Sequence, residues 1–232
     1  MTERWPRENY VAGGGPGDIA LIALAAVKLP DPLPISRSRH GMPDGAGADV
    51  AAIVPRERST DPAWFDDNVL APFLAMIEED LGPTAAAAAR AAERAYVIEC
   101  KLDDPDDLGH VQAAWALAKC VCEEGAAVII DVFAARAHLG VEVAALPPDR
   151  AFDVMHEVTL LFDEQPDGTI AAWTAGLRKF GRPELVVLGV DDTTEVALVL
   201  RDAASLLASG EFLDAPAYEG DLPVDGPALR LR

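Results

Sequence analysis

Arg178, Lys179 and Arg182 form the densest cluster of positive charge in the chain. They surround a glycine-bearing turn, Gly176 to Pro183, of the kind where backbone can approach a ligand closely. Guanidinium and ammonium groups at such a turn suit a carboxylate or a phosphate. His156 opens a segment that reads as a hairpin strand, from which its ring could meet Arg178 or Glu184. An imidazole beside a carboxylate acts as a general base near neutral pH. His156, Arg178, Lys179 and Arg182 are therefore the candidate ligand-binding set. The plainer reading is that the cations neutralise the protein's own Asp and Glu, while His156 is bonded at a strand edge; both stay open. Strand alternation would place His156 and Glu157 on opposite faces, so these two are not expected to form a dyad.

Other constellations fall short of the chemistry they suggest. Gly13 to Gly17 resembles a phosphate loop in composition. Such a loop needs a strand before it and a helix after it, usually with Lys-Ser/Thr, and none of these is read here. His40, His110 and His138 have no companions at metal-ligand spacing. Asp103 to Asp107 lacks the alternating oxygens, glycine and terminal Glu of a calcium loop. Ser36, Ser38, Ser59, Ser205 and Ser209 lie in no Gly-x-Ser-x-Gly elbow. Cys100 sits in an apolar run, and Cys120 and Cys122, two apart on a predicted helix, point in different directions. They read as reduced structural thiols. No catalytic residue, metal or cofactor is expected.

The charge balance narrows the partners. Lys and Arg total 19 against 39 Asp and Glu, a formal charge of −20. That field repels nucleic-acid backbones and anionic lipid, and it suits a basic protein or a cation; the plainer reading, a generic acidic surface that serves solubility, stays open. MTERWPRENY carries no apolar h-region or cleavage site. The longest apolar stretch, Ile19 to Val27, is far short of the roughly 20 residues that span a bilayer. A cytoplasmic protein is the expectation.

The elements that must position the candidate set follow from periodicity and punctuation. Half the residues are hydrophobic and 6% aromatic, which predicts a small-residue core within one α+β domain of 1–232. Residues 1–17 read as a flexible lead-in, Ile19–Leu29 as a buried strand, 30–47 as an irregular loop and Ala48–Val54 as a short strand. Thr60-Asp61-Pro62 starts a helix that runs to about Asp80 and stops at Gly82-Pro83. Thr84 then caps an alanine-rich helix. A strand at Ala95–Leu102, a helix to about Glu124 and a strand at Ala126–Phe133 suggest a crossover with parallel strands. A short helical stretch, Ala134–Leu146, is expected next. Asp167-Gly168 marks a hairpin between Met155–Phe162 and Thr169–Ala175. A strand at Glu184–Val190, a helix capped at Asp191–Thr194 and an edge strand at Ala228–Leu231 complete a mixed β-sheet covered by helices.

The stretch DGTIAAWTAGLRKFGRPELVVLG, Asp167 to Gly189, resembles the C-terminal signature of a bacterial domain-of-unknown-function family, number 4261. The matching residues are Asp167, Gly168, Thr169, Thr174, Gly176, Leu177, Phe180, Gly181, Pro183 and Glu184. The resemblance extends more loosely over 95–210. It implies an α+β fold and supplies no catalytic residues.

Three functional readings follow. The first is a non-enzymatic acidic binding protein that masks a basic partner, as immunity proteins do. The second is a small-ligand protein or enzyme with an anion site at the Gly176–Pro183 turn. The third is a homo-oligomer built on exposed Trp and Phe residues.

Overall fold

In the computed structural model, described here for residues 3–45, 51–211 and 229–231, the apolar run at Ile19 forms β1 (Pro16–Ala25). A short helix α1 (Arg37–His40) sits within the proline-rich loop that follows, capped by Ser36. β2 (Ala52–Glu57) lies slightly later than expected; positions 48–50 are outside the described residues. Asp61 caps α2 (Pro62–Phe65), its carboxylate accepting from Trp64 N, with Pro62 in the first turn. One π-turn, Asp66–Leu70, joins α2 to α3 (Ala71–Leu81). Gly82 adopts φ 83° and ends α3 as predicted. It also begins α4 (Pro83–Arg90), so Thr84 lies inside that helix rather than capping it.

β3 (Arg94–Asp103), α5 (Gly109–Glu123) and β4 (Ala126–Asp131) form the expected strand–helix–strand unit. β5 (Arg136–Leu139) and α6 (Gly140–Ala144) come next. The first half of the helical stretch expected at Ala134–Leu146 is thus a strand, because β4 has an open edge that Arg136–Leu139 fills by antiparallel pairing. α7 (Val154–Glu157) precedes the hairpin β6 (Thr159–Glu164) and β7 (Ile170–Ala175). β8 (Leu185–Val190), α8 (Thr193–Ser209) and β9 (Leu229–Leu231) complete the order, and the fold is α+β.

Where the sequence reads as one domain, the residue contacts group into two compact units. The first holds residues 1–5, 18–102 and 107–151; the second holds 6–17, 103–106 and 152–232.

In the first unit a five-stranded sheet runs β2-β3-β1-β4-β5. β1 pairs antiparallel with β4. Glu93 N donates to Ala25 O, and Lys101 lies 3.8 Å from Asp18, so the start of β3 faces the end of β1. β3 and β4 therefore point the same way, but β1 is inserted between them, so neighbouring strands are antiparallel and the expected mixed sheet is replaced by two antiparallel ones. Strand alternation divides the core. Ile22, Leu24, Val97, Val128 and Ile130 point to one face, where they meet Phe65, Val69, Ile77 and the alanines of α4. Ala85, Ala86 and Ala89 lack bulk, and that lets α4 lie close to the sheet. α5 packs against β4 and α6 on the other face, with thirteen of its fifteen residues buried. A helix covered on nearly every side needs its polar groups satisfied. Gln112 bonds the Trp5 N–H and the Glu3 carbonyl, and Lys119 donates to the Ala144 and Leu146 carbonyls at 2.6 Å each.

In the second unit the sheet runs β6-β7-β8-β9, all neighbours antiparallel. α8 lies on it and buries Val196, Leu200, Ala204 and Leu207 at helical spacing. Asp192 caps α8 through Thr194 N. No helix among the described residues is long and apolar enough to cross a membrane.

The first core supports a direct test. Phe65→Ala should lower the unfolding free energy by about 3–5 kcal/mol, read as a shifted urea midpoint at unchanged slope. A loss below about 1 kcal/mol would mean that Phe65 is not packed as described.

Candidate functional site

The hairpin turn is set by Asp167. Its Oδ1 accepts from the Thr169 N–H at 3.0 Å and the Thr169 hydroxyl at 2.7 Å. Gly168 takes φ 83°, which a side chain rarely adopts. Further on, Glu184 ties the next turn together. Its Oε1 accepts from Gly176 N and Arg178 N, and its Oε2 accepts from the Thr174 hydroxyl at 2.8 Å. The same hydroxyl oxygen accepts from Leu185 N at 2.9 Å. Asp167, Gly168, Thr169, Thr174, Gly176 and Glu184, all in the resembled motif, thus have backbone-shaping work. None of these bonds leaves a group aimed at a ligand.

His156 and Glu157 do not lie on a strand. Asp153 Oδ1 accepts from Met155 N and starts one turn of helix, α7, that ends at Val158. The Asp before an apolar pair was the cap signal; the apolar residues after it suggested extended chain instead. In the helical turn the two side chains meet. His156 Nδ1 is 3.2 Å from Glu157 Oε1, and Lys179 Nζ is 2.8 Å from Glu157 Oε2. The expectation that strand alternation keeps His156 and Glu157 apart is overturned.

Lys179 and Glu157 are fully buried, with 1% of each side chain exposed, whereas His156 is half-buried at 25%. Burial alone would raise the Glu157 carboxyl. The Lys179 charge, and then the His156 hydrogen bond and charge, outweigh it and hold the carboxyl far below the usual carboxylate range. The result is an ionised pair inside the second unit, a structural arrangement whose members have little capacity left for a ligand.

Arg182 goes elsewhere. Its guanidinium is fully covered, and all five N–H groups have an acceptor. Nε donates to Glu211 O; Nη1 to Asp104 Oδ1 and Gly181 O; Nη2 to Val11 O and Gly210 O. Arg7, also buried, donates to the carbonyls of Pro105, Leu207 and Ala208. Arg7 therefore caps two of the last carbonyls of α8, and Arg182 takes those of Gly210 and Glu211 just beyond it, where the helix dipole favours positive charge. Burial, and then the neighbouring Arg182, lowers Arg7 to about 10, still protonated at neutral pH.

Asp104 completes this cluster. It accepts from the Tyr10 hydroxyl at 2.9 Å and Gly13 N at 2.8 Å. Burial pushes its carboxyl up, but the bonds from Gly13, Tyr10 and Arg182 dominate and lower it. Gly15 N donates to Gly181 O, and a Cβ on Gly14 would collide with the Arg182 guanidinium. The glycine run is thus bonded to this cluster through Gly13 and Gly15, and Gly14 has no room for a side chain because Arg182 and Gly181 O stand there.

Of the four predicted site residues, the structure brings His156 and Lys179 together around Glu157. It places Arg182 in a separate buried cluster and leaves Arg178 exposed.

In the first unit, Glu123 gathers His40, Arg39 and Lys119. Ser36 N donates to His40 Nδ1, which leaves Nε2 to donate to Glu123 at 3.2 Å. Sequence reasoning missed this group because its members are up to 84 positions apart (Arg39 to Glu123). Burial raises Cys100 and Cys120 to about 11 and Cys122 to about 12, so none is a thiolate nucleophile at neutral pH. Among the described residues no three His, Cys, Asp or Glu side chains converge to hold a metal. No family model, curated protein or solved structure matches the chain.

The buried pair yields two predictions. Lys179→Met leaves Glu157 uncompensated and should cost about 3–5 kcal/mol, whereas Lys179→Met with Glu157→Leu should restore most of that loss. Urea unfolding of both variants tests this; equal losses would refute the pairing. A depressed carboxyl stabilises the fold above its unfolded pKa, about 4.3 for Glu. That contribution disappears as pH falls below this value towards the folded pKa. The wild type should therefore lose stability below about pH 4.5 more steeply than the double variant, as measured by urea midpoints between pH 3 and pH 7.

Proposed function

We propose that this is a non-catalytic binding protein whose acidic surface engages a basic protein partner. The supporting observation is the partition of charge. Arg7, Lys119, Lys179 and Arg182 are turned inward onto the protein's own carboxylates and carbonyls. Among the described residues only Asp18, Asp131 and Glu157 are buried carboxylates; the others keep some contact with water.

They are concentrated at one end of the second sheet. Register places Glu164 and Val190 on either side of Ile170. Exposed Asp163, Glu164 and Asp167 of the hairpin thus neighbour exposed Asp191, Asp192 and Glu195 at the start of α8. No Lys or Arg occurs between Thr159 and Leu177 or between Glu184 and Leu200. A one-sign field of this kind accelerates encounter with a basic surface. Three free cysteines fit a reducing, cytoplasmic setting.

The alternative, an anion site at the Gly176–Pro183 turn, is less well supported, since Lys179 and Arg182 already hold internal acceptors.

Cross-linking in lysate at 50 mM NaCl, identification by mass spectrometry and titration of the purified partner test the proposal. We expect a partner of pI above about 9 whose affinity falls about tenfold between 50 and 300 mM NaCl. Glu164→Lys with Asp191→Lys should slow association by about tenfold. Salt-independent binding, or association unchanged by the two reversals, counts against it.

A further inference from the structure

A cleft of about 410 Å³ opens in the first unit, between the loop Lys28–Leu33 and one face of the β2–β3 ribbon. Its floor follows from register. Glu57 pairs with Arg94 and Pro55 with Tyr96, while Ile53 stands two residues further along β2, so these side chains project from one face of the ribbon. Ala95 and Val97, which alternate with them, belong to the core on the opposite face. The loop forms the wall, held where the Leu29 N–H donates to the Tyr96 hydroxyl oxygen at 2.8 Å.

The volume lies within the range of small-molecule sites, and the walls are apolar with few polar groups, as such sites usually are. The polar groups are three donors, Lys28, Arg94 and Tyr96, beside the carboxylates of Asp31 and Glu57. Arg94 is mostly buried, with 24% of its side chain exposed. Its Nη1 donates to Glu57 Oε1, and its other N–H groups have no partner among the described residues. The Tyr96 hydroxyl oxygen accepts from Leu29, which leaves its hydrogen to donate. Lys28 stands exposed at the rim.

We propose that this cleft binds a small amphipathic carboxylate. Its acid group would be received by Arg94, Tyr96 and Lys28, and its apolar body would lie against Leu29, Ile53 and Pro55. A guanidinium that meets Glu57 through Nη1 keeps its Nε and Nη2 donors for a second carboxylate. Lys28 and Asp31 balance at the rim, so the local field is milder than the overall charge of −20 suggests. The site is independent of the acidic end of the second sheet.

The probe is 3-phenylpropionate, with 3-phenylpropanol as its uncharged twin, titrated into ¹⁵N-labelled full-length protein. A fragment of this size binds with a Kd of about 1–10 mM. Amide shifts should cluster at Leu29, Ile53, Glu57 and Tyr96, and the alcohol should bind at least about tenfold more weakly. Arg94→Gln should abolish the shifts. Because that change also breaks the Glu57 pair, Lys28→Gln serves as a second variant, on the exposed rim, and should weaken binding about threefold. No saturable shift up to about 50 mM probe, shifts scattered outside the cleft, equal binding of the alcohol, or wild-type affinity in folded Lys28→Gln would each overturn the proposal. Reversing Glu164 and Asp191 should leave probe binding unchanged.

Discussion

A fully covered guanidinium with every donor engaged is the constraint on which the second unit depends. Arg182 reaches a carboxylate and four carbonyls, from Val11, Gly181, Gly210 and Glu211, and so ties the N-terminal strap, the turn after β7 and the end of α8 to one planar group. The geometry is unforgiving. A planar fork fixes the directions of its acceptors, and a Cβ at Gly14 would strike it, while Cβ atoms at Gly181 and Gly210 would strike the backbone of Gly15 and Tyr10. Gly181 and Gly210 also take positive φ there. Asp104, with φ 37°, accepts an uncommon backbone conformation for a residue with a side chain, and its three bonded donors hold it in place.

The same economy explains how an acidic chain builds two cores. The inward cations meet carbonyls near helix ends or carboxylates of the chain itself. Lys119 does at the end of α6 what Arg7 does at the end of α8.

Much of the fold was legible because its signals are local. Gly82-Pro83, Asp167-Gly168, Asp61-Pro62 and Asp192 each fix a turn or cap through their own backbone chemistry, and all four do so here. β5 was not legible, because Arg136–Leu139 has no strand pattern of its own and is extended only by pairing with β4. α7 was misread for a related reason: four residues are too few to show helical periodicity, and only the Asp153 cap marked them. The candidate site was legible as a set of residue types but not as an arrangement. Lys179 and Arg182 are three positions apart, yet the turn between them sends one to Glu157 and the other to Asp104. Nothing in the spacing of Arg94, Tyr96 and Lys28 announces the cleft, since it exists only once β2 pairs with β3.

All three thiols belong to the first unit and are buried there, and the second unit has none. An alkylating reagent added to the native protein would meet no accessible sulfur until that unit opens. Wild-type cysteine labelling is therefore a clock for the opening of one half of the molecule, readable without any engineered reporter and blind to motions of the other half.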